Sequence, residues 1–256
     1  MNNIPNSKYG WFGNYSSWNE VNSLCKGYDD ALIFDKVKQA SLDVKNGLAL
    51  FERDSVLFYE EEFDQDFLNI LEILSKEKQE LNILDFGGAL GSLYFQYKSK
   101  FDKFKKISWN IVEQKHYVDF GKSNLENDNL RFHYTIEDCL KENKSINIIL
   151  LSSVISYFEK PYDLLKKVIA LKLEYILIDK TIFCNHEIDI LTLQIVPPTI
   201  YDASYPCWIL NENNLVNFLS VHYTIVHQYY PYGKTSIEIS NKTAYFKAIL
   251  FKIKQQ

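Results

Sequence analysis

The segment 83–91, Ile-Leu-Asp-Phe-Gly-Gly-Ala-Leu-Gly, constrains the fold of this chain more than any other stretch. An apolar run ends at an acidic residue, Asp85, and a glycine-rich turn and a helix-forming segment follow. Glycine permits a sharp turn and lets a ligand approach the main chain closely. The pattern is therefore typical of the first parallel strand of an α/β sheet, at the point where it leads into a nucleotide-binding turn.

The spacing of the glycines excludes two nucleotide-binding motifs. A dinucleotide fingerprint, G-x-G-x-x-G, counted from Gly87 requires glycine where the chain has Ala89 and Ser92. A P-loop requires Gly-Lys-Ser or Gly-Lys-Thr at its end, and this turn has neither. What remains is an acidic residue, Asp85, two positions before Gly87, in the pattern Asp-x-Gly-x-Ala-x-Gly.

This pattern resembles the first motif of class I S-adenosylmethionine (SAM)-dependent methyltransferases, which reads acidic-x-Gly-x-Gly-x-Gly. The chain departs from it at Ala89, which stands in place of the middle glycine. Alanine disfavours a positive φ, so we expect the turn to be retained but to be tighter around a ligand. The alternative is a tight β-to-α turn that binds nothing.

From residue 81 onward, predicted strands and helices alternate, which indicates a parallel sheet covered on both faces. The pattern predicts strands at 81–86, 108–113, 130–134, 146–151 and 174–179, helices at about 91–101, from about 115 and at 161–170, and an antiparallel pair at 223–230 and 244–254. The resemblance implies an α/β fold with a Rossmann-like, seven-stranded, mostly parallel sheet that ends in an antiparallel C-terminal hairpin.

The sequence predicts a helical cap or lid at residues 1–80, before a SAM-binding domain at 81–256. Helix starts are expected after Ser17 and at Asp29 and Asp30. A third helix carries an apolar stripe of Phe63, Phe67, Ile70, Leu71 and Leu74. The aromatic leader 9–18 either fills a groove or covers the substrate. A Tyr- and Pro-rich segment, about 182–215, is expected to be a substrate loop inserted into the sheet.

Ligands of open parallel sheets bind at the carboxyl ends of the strands, which gives a set of candidate cofactor residues. Glu113 ends the second strand, 22 residues past Gly91, where an acid can accept hydrogen bonds from ribose hydroxyls, with Gln114 assisting. By resemblance, the loop after the third strand contacts adenine. The predicted cofactor residues are Asp85, Phe86, Gly87, Gly88, Ala89, Gly91, Glu113, Gln114, Ile136, Glu137, Asp138 and Ser152.

The residues after the fourth predicted strand separate methyltransferase subclasses. Amine- and nucleobase-modifying enzymes often carry Asp/Asn-Pro-Pro-Tyr/Phe at this point, where the chain has Ser152-Ser153-Val-Ile. The pair Pro197-Pro198 follows the fifth strand and lacks the preceding Asp or Asn. The serines supply no clustered carboxylates for a hard cation, so we predict no metal.

Four features together resemble one family of bacterial methyltransferases associated with surface-polysaccharide (capsule or lipopolysaccharide) gene clusters. They are the aromatic leader 10–18, the Asp-x-Gly-Gly turn, the segment 178–181 and the segment 201–208. That pattern usually has Arg at Lys180 and Pro at Ile182. Lysine keeps the positive charge but lacks the bidentate fork of arginine.

Methyl transfer to a hydroxyl benefits from a base that removes the proton. The predicted catalytic residues are His186, Tyr201 and Tyr205, of which the histidine has the most suitable pKa near neutrality. Lys180 is the candidate for meeting an anionic acceptor. The predicted substrate-binding residues are Tyr15, Tyr157, Lys180, Tyr201, Asp202 and Tyr205.

The leading hypothesis is a SAM-dependent O-methyltransferase acting on a sugar or phosphoryl group of a capsule or lipopolysaccharide precursor, with a nucleotide-linked sugar or a phosphoryl compound as acceptor. The alternatives are N-methylation of an amino sugar or small amine, a catalytically silent SAM-fold scaffold, and NAD-dependent oxidoreduction. A net charge of −5 argues against a nucleic-acid partner. Four dispersed cysteines and the lack of an apolar leader or membrane-length run favour a cytoplasmic protein with free thiols.

Overall fold

The computed structural model describes residues 8–25, 30–77, 80–233, 235–239 and 242–255, without the side chains of 30–32. The strands are β1 Gly10–Phe12, β2 Phe51–Arg53, β3 Val56–Phe58, β4 Leu81–Phe86, β5 Ile107–Val112, β6 Leu130–His133, β7 Ile148–Ser152, β8 Tyr175–Cys184, β9 Ile190–Ile195, β10 Ser204–Asn211, β11 Tyr223–Tyr229, β12 Ser236–Ile239 and β13 Lys242–Ile253. The helices are α1 Trp18–Leu24, α2 Asp30–Lys45, α3 Gln65–Glu77, α4 Ser92–Tyr97, α5 Lys115–Asn124, α6 Ile136–Glu142, α7 Pro161–Ala170 and α8 Glu212–Leu219. Two 3₁₀ helices span Lys98–Lys103 and Ile155–Tyr157.

The centre of the sheet has the strand order β6-β5-β4-β7-β8-β13-β11. The first five strands are parallel, whereas β13 runs antiparallel to β8 and β11 runs antiparallel to β13. The predicted mostly parallel sheet with an antiparallel C-terminal pair is confirmed. The strand order reverses at β4, which has β5 on one side and β7 on the other, so the crevice for a ligand lies beyond the end of β4.

Alternate residues of the central strands pack against opposite helical layers. Ile83 belongs to a core cluster that contains residues of α2, α3, α4 and α5. Leu84, its neighbour in β4, belongs to a second cluster with residues of α6, α7 and α8. Strands buried on both faces read as continuous apolar runs. For this reason the pattern from residue 81 predicted the central strands so well.

Four further strands extend the sheet beyond the seven that were predicted, so the described part of the chain has an eleven-stranded sheet. β12 pairs with β13, while β10, β9 and β1 continue from the end of β8. The segment 182–215, expected to be a loop, instead forms the end of β8, β9, β10 and the start of α8. Its Tyr, Ile and Trp residues fit a pleated surface.

The longer β8 explains this difference. The predicted strand ends at residue 179, but β8 continues to Cys184 after Lys180 takes a left-handed φ of 45°. Beyond this kink, Phe183 and Cys184 pair with β10 on one side and β13 on the other. The extension therefore carries the chain past the point where the sequence placed the end of the sheet.

The N-terminal 80 residues are only partly helical. Ser17 caps α1, and the predicted helices from Asp30 and around the 67–74 stripe are present as α2 and α3. Asp29 lies outside the described residues, and Phe63 precedes α3. The prediction of a wholly helical segment is wrong at two places, because 10–12 joins the sheet edge and 51–58 forms the β2–β3 hairpin.

In the parts of the chain that the structure describes, no helix is long and apolar enough to cross a membrane. The four cysteines, Cys25, Cys139, Cys184 and Cys207, are free thiols, as predicted.

Candidate active site

The turn after β4 alternates between ordinary and left-handed backbone. Gly87, Ala89 and Gly91 have φ values of 75°, 48° and 95°. Gly88 is required for a different reason, since a Cβ at this position would lie 2.5 Å from Oδ2 of Asp85. The Gly87 amide donates to the carbonyl of Val112 at 2.9 Å and thus ties the turn to the end of β5. The alanine is accommodated in a conformation that favours glycine.

Asp85 lies under this turn and is 1% exposed. Its Oδ2 accepts a hydrogen bond from Nε1 of Trp109 at 2.8 Å. Burial raises the pKa of Asp85 to about 7; the negative charges of Glu113 and Asp179 act in the same direction, and the Trp109 hydrogen bond opposes it. A cationic ligand group at this point would favour the ionised carboxylate.

Glu113 stands at the end of β5, across from the turn. Its Oε2 accepts from the Gln114 amide at 2.5 Å, and the Ala89 amide also donates to this carboxylate. Burial raises the pKa of Glu113, and these two backbone hydrogen bonds oppose the effect. The carboxylate therefore links the glycine-rich turn to the second strand end, where a ribose-binding acid was predicted.

The strand ends open into a cavity of about 1240 Å³. This volume exceeds the roughly 300–1,000 Å³ of a typical single-ligand site, so the cavity has room for two molecules side by side. The predicted site residues on its wall are Asp85, Phe86, Gly87, Gly88, Ala89, Glu113, Gln114, Ser152, Tyr157, Lys180, Tyr201 and Tyr205. Gly91 is not on the wall but begins α4 and orders the turn.

The predicted adenine contacts, Ile136, Glu137 and Asp138, do not line the cavity. They form the first turn of α6, which Thr135 caps by accepting from the Asp138 amide at 3.0 Å. Ile136 packs into the core cluster beside α6 instead. Tyr134 is the residue of this strand end that faces the cavity.

His186 does not line the cavity either, so its predicted catalytic role has no support from this geometry and stays a prediction. β8 runs beyond the expected strand end and places His186 in the turn before β9. There its Nδ1 accepts from the Ile188 amide at 3.4 Å, and its carbonyl accepts from the Asn211 side chain.

Two predicted substrate contacts, Tyr15 and Asp202, are likewise absent from the cavity wall. The Tyr15 amide donates to the carbonyl of Leu191 at 2.9 Å, and this contact fixes the residue beside β9. Asp202 is exposed in the connection between β9 and β10. From the aromatic leader, Trp11 and Trp18 line the cavity instead.

Tyr157 and Tyr205 are neutral hydrogen-bonding groups on the cavity wall. The rings of Tyr157 and Tyr205 meet edge to face with centroids 5.3 Å apart, and the Tyr157 hydroxyl donates to Oε1 of Gln194 at 3.0 Å. Burial raises the pKa of both phenols well above their usual range. Tyr205 also shares a hydrogen bond with Tyr201. The raised pKa gives no support to the predicted role of Tyr205 as a base, and its role in shaping the site stays a prediction.

A buried carboxylate, Asp179, fixes Ser152 on the cavity wall. Asp179 is fully buried and accepts from the Ser152 hydroxyl at 2.7 Å and from the Tyr229 hydroxyl at 2.9 Å. The sequence placed Asp179 at a strand end but gave no indication of these partners, which come from β7 and β11.

The sequence interpretation missed the β2–β3 hairpin, which supplies Glu52, Arg53 and Asp54 to the cavity wall. Glu52 is 2% exposed and accepts from the Ser92 hydroxyl and from the Ser55 amide. Burial raises the pKa of Glu52 to about 7. The Arg53 guanidinium pairs with Glu62 at 2.8 Å. A polar turn between the apolar residues at 51 and 56–58 was the available signal.

Within the described residues, no group of three or more His, Cys, Asp or Glu side chains is arranged to hold a metal ion. The metal-free site stays a prediction.

A solved protein has a similar fold. A SAM-dependent methyltransferase from Methanosarcina mazei matches with a TM-score of 0.51 and 13% identity, over 76% of this chain and 100% of the other. The chain has the fold of SAM-dependent methyltransferases. No protein-family model and no curated protein matches its sequence.

Two other solved structures are similar at lower TM-scores. The N-terminal domain of EvdMO1, with S-adenosylhomocysteine (SAH) bound, has a TM-score of 0.46 and 14% identity, over 89% of this chain and 98% of the other. The glycopeptide N-methyltransferase MtfA, complexed with SAM, has a TM-score of 0.47 and 9% identity, over 73% and 93%.

Proposed function

We propose that this chain is a SAM-dependent methyltransferase whose acceptor is a sugar hydroxyl. One observation carries the proposal. At the point where the strand order reverses, a turn with left-handed Gly87, Ala89 and Gly91 lies between two carboxylates, Asp85 and Glu113, and opens into a cavity large enough for two ligands.

The residues present fit the chemical groups of SAM. Asp85 is a buried carboxylate that accepts a hydrogen bond from the neutral Trp109 indole, and it suits the ligand's ammonium group. Glu113 has the position of an acid that accepts from both ribose hydroxyls. Tyr134 and Phe86 offer aromatic surface for a purine. When bound, SAM supplies an activated methyl group, and the protein's task is to orient the acceptor and exclude water.

The other half of the cavity favours a neutral acceptor with an apolar face. Aromatic side chains dominate this wall: Tyr9, Trp11, Trp18, Tyr157, Tyr201, Tyr205, Tyr232 and Phe246. Such rings give the flat apolar contact that a pyranose offers on its C–H faces, while Gln194 and Asp54 can accept from its hydroxyls.

The charge of the wall favours a hydroxyl over a phosphoryl group as the methylated site. Among the described residues, four acids line the cavity, Glu52, Asp54, Asp85 and Glu113, against two cations, Arg53 and Lys180. Because the pKa values of Glu52 and Asp85 lie near 7, these two carboxyls are partly protonated at neutrality. The remaining balance of charge still gives a phosphate no excess of cations inside the cavity. Any nucleotide carrier would therefore keep its phosphates at the mouth. A surface-polysaccharide precursor is the acceptor suggested by the resemblance of the leader, turn and 201–208 segment.

Titration calorimetry with SAM, SAH and NADH tests the cofactor assignment. We expect micromolar binding of the two adenosyl compounds and none of NADH. Asp85→Asn and Glu113→Gln should each weaken SAH binding about 10- to 100-fold, the value of a hydrogen bond to a charged group. Asp128→Asn removes an exposed carboxylate that does not line the cavity, and it is the matched control. Absence of adenosyl binding would leave a silent scaffold, and NADH binding would favour an oxidoreductase.

Product analysis separates O- from N-methylation. With methyl-labelled SAM, the label should appear as an ether on a hexose and should survive mild acid. Transfer to the nitrogen of glucosamine in preference to any hydroxyl would favour the N-methyltransferase alternative.

A further inference from the structure

The turn of the β2–β3 hairpin places a carboxylate, Asp54, on the cavity wall. Asp54 and Ser55 form a two-residue turn in which both have left-handed φ values, 52° and 65°. Two-residue hairpin turns of this kind match the twist of the strands, and Asp is among the residues that accept this φ. Below the turn, the rings of Phe51 and Phe58 stack at 4.5 Å. The turn is therefore held in a defined position.

The surroundings of Asp54 come from five parts of the chain. The charged or titratable groups that face it are Glu52 and Arg53 from β2, Lys180 from β8, Tyr157 from the second 3₁₀ helix, Tyr205 from β10 and Tyr232 beyond β11. Among the described residues, none donates a hydrogen bond to its carboxylate, and none forms an ion pair with it. The carboxylate thus has its hydrogen-bonding capacity free for a ligand.

Lys180 interacts electrostatically with Asp54 and with Asp85 in the cofactor half of the cavity. Its positive charge lowers the pKa of Asp54 and also that of Asp85, so the ammonium lies near both carboxylates. Asp85 underlies the glycine-rich turn, and Asp54 belongs to the opposite, aromatic half. We therefore place the boundary between the two ligands, where a methyl group must pass, beside Lys180 and between Asp85 and Asp54.

We propose that Asp54 is the general base that takes the proton from the acceptor hydroxyl, an inference that rests on the proposed function. As the hydroxyl oxygen forms its bond to the methyl carbon, its proton moves to Oδ of Asp54. The carbon–sulfur bond breaks with its electron pair remaining on sulfur, so that the sulfonium becomes a neutral thioether. Asp54 later releases the proton to water.

Two features favour Asp54 over the other groups in this half of the cavity. Asp54 keeps solvent-exposed surface in the cavity, but the surrounding walls partly desolvate its carboxylate and raise its pKa, while Arg53 and Lys180 limit the rise. It is therefore a stronger base than a fully solvated aspartate. Tyr157 and Tyr205 remain protonated because burial raises their pKa values. They can donate hydrogen bonds to the acceptor but cannot take its proton near neutrality.

The test compares Asp54→Asn and Asp54→Glu with the control Asp128→Asn. Asparagine favours a left-handed φ, so the first variant keeps the hairpin turn. The acceptor probes are UDP-N-acetylglucosamine, UDP-galactose, GDP-mannose and glucosamine, with methyl-labelled SAM. We expect Asp54→Asn to lower kcat by about 10²- to 10⁴-fold, to lose the acidic limb of the pH profile, and to bind SAH as wild type does. Asp54→Glu should restore part of the rate.

A readout independent of turnover is the titration of the Asp54 carboxyl carbon in the ligand-free protein, followed by carbon-13 NMR and assigned with Asp54→Asn. Its midpoint should lie above the ordinary aspartate value of about 3.9. An ordinary midpoint, an unchanged kcat in Asp54→Asn, or transfer to no probe hydroxyl would overturn the proposal. Loss of SAH binding in the wild type would instead overturn the proposed function itself.

Discussion

At the scale of single residues, Ala89 has a backbone conformation that favours glycine. Its φ of 48° is left-handed, and an L side chain in that region costs about 1–2 kcal/mol. Glycine removes this cost but gains conformational freedom in the unfolded chain. We therefore expect Ala89→Gly to raise the free energy of unfolding by about 0.5–1 kcal/mol, measured by urea denaturation.

The control for this prediction is Ala89→Val, because a β-branched residue tolerates a left-handed φ less well than alanine. It should lower the free energy of unfolding at the same position. If Ala89→Gly is no more stable than wild type while Ala89→Val is destabilised, the backbone of the turn is not the source of strain, and contacts of the alanine methyl group outweigh it.

At the scale of secondary-structure elements, Asp179 joins three strands around the cofactor half of the cavity. Its carboxylate, at the middle of β8, accepts from Ser152 at the end of β7 and from Tyr229 at the end of β11. Tyr229→Phe removes one donor from a fully buried carboxylate, which should cost about 1.5–3 kcal/mol. Urea denaturation measures the loss.

Tyr223→Phe is the matched comparison, since this buried hydroxyl also lies on β11 but donates to a neutral carbonyl, that of Leu173, at 3.0 Å. It should cost about 0.5–1.5 kcal/mol. Equal losses of unfolding free energy in the two variants would contradict the view that the Tyr229 hydroxyl donates to a charged carboxylate.

The accuracy of the sequence interpretation also differed from element to element. α7 begins at Pro161 and ends at Ala170 as predicted, because proline at the first helical position and an amphipathic repeat are local signals. The β2–β3 hairpin was missed, since its strands are three residues long and its turn is Asp-Ser rather than Asn-Gly.

Pro206 is one reason why the sequence predicted a loop where the structure has β10. Pro206 stands opposite Leu193 of β9, while β10 joins β8 only at Leu210 and Asn211. On the side away from β9, Pro206 therefore has no neighbouring strand among the described residues, and such an edge tolerates proline. Such edges depend on which strands become neighbours, and a local pattern does not contain that information.

At the scale of the whole molecule, the candidate site depends on segments that are distant in the sequence. The cofactor half follows from β4 and β5, whose motifs are local, and Asp85 and Glu113 were found from spacing. The acceptor half combines the leader, the hairpin turn and β10. Asp54 could not be predicted there because its place depends on how these elements pack together.

The pH dependence of the free energy of unfolding is also a property of the whole molecule, because it depends on which carboxyls the fold buries. Burial raises the pKa of Glu52 and of Asp85 to about 7. Between about pH 4.5 and 7 the folded protein thus holds protons that the unfolded chain has released, so the free energy of unfolding falls as pH rises. In Glu52→Gln, the part of this fall that Glu52 contributes is absent. The free energy of unfolding of the variant, measured relative to wild type, should therefore increase by about 1–3 kcal/mol from pH 5 to pH 8.

Urea denaturation at the two pH values measures this change, and Glu60→Gln provides the control, because it removes an exposed carboxylate ahead of α3. A constant difference between Glu52→Gln and wild type would mean that Glu52 is ionised throughout this range. In that case the Ser92 hydroxyl and the Ser55 amide, which donate to its two oxygens, outweigh the cost of burying the charge.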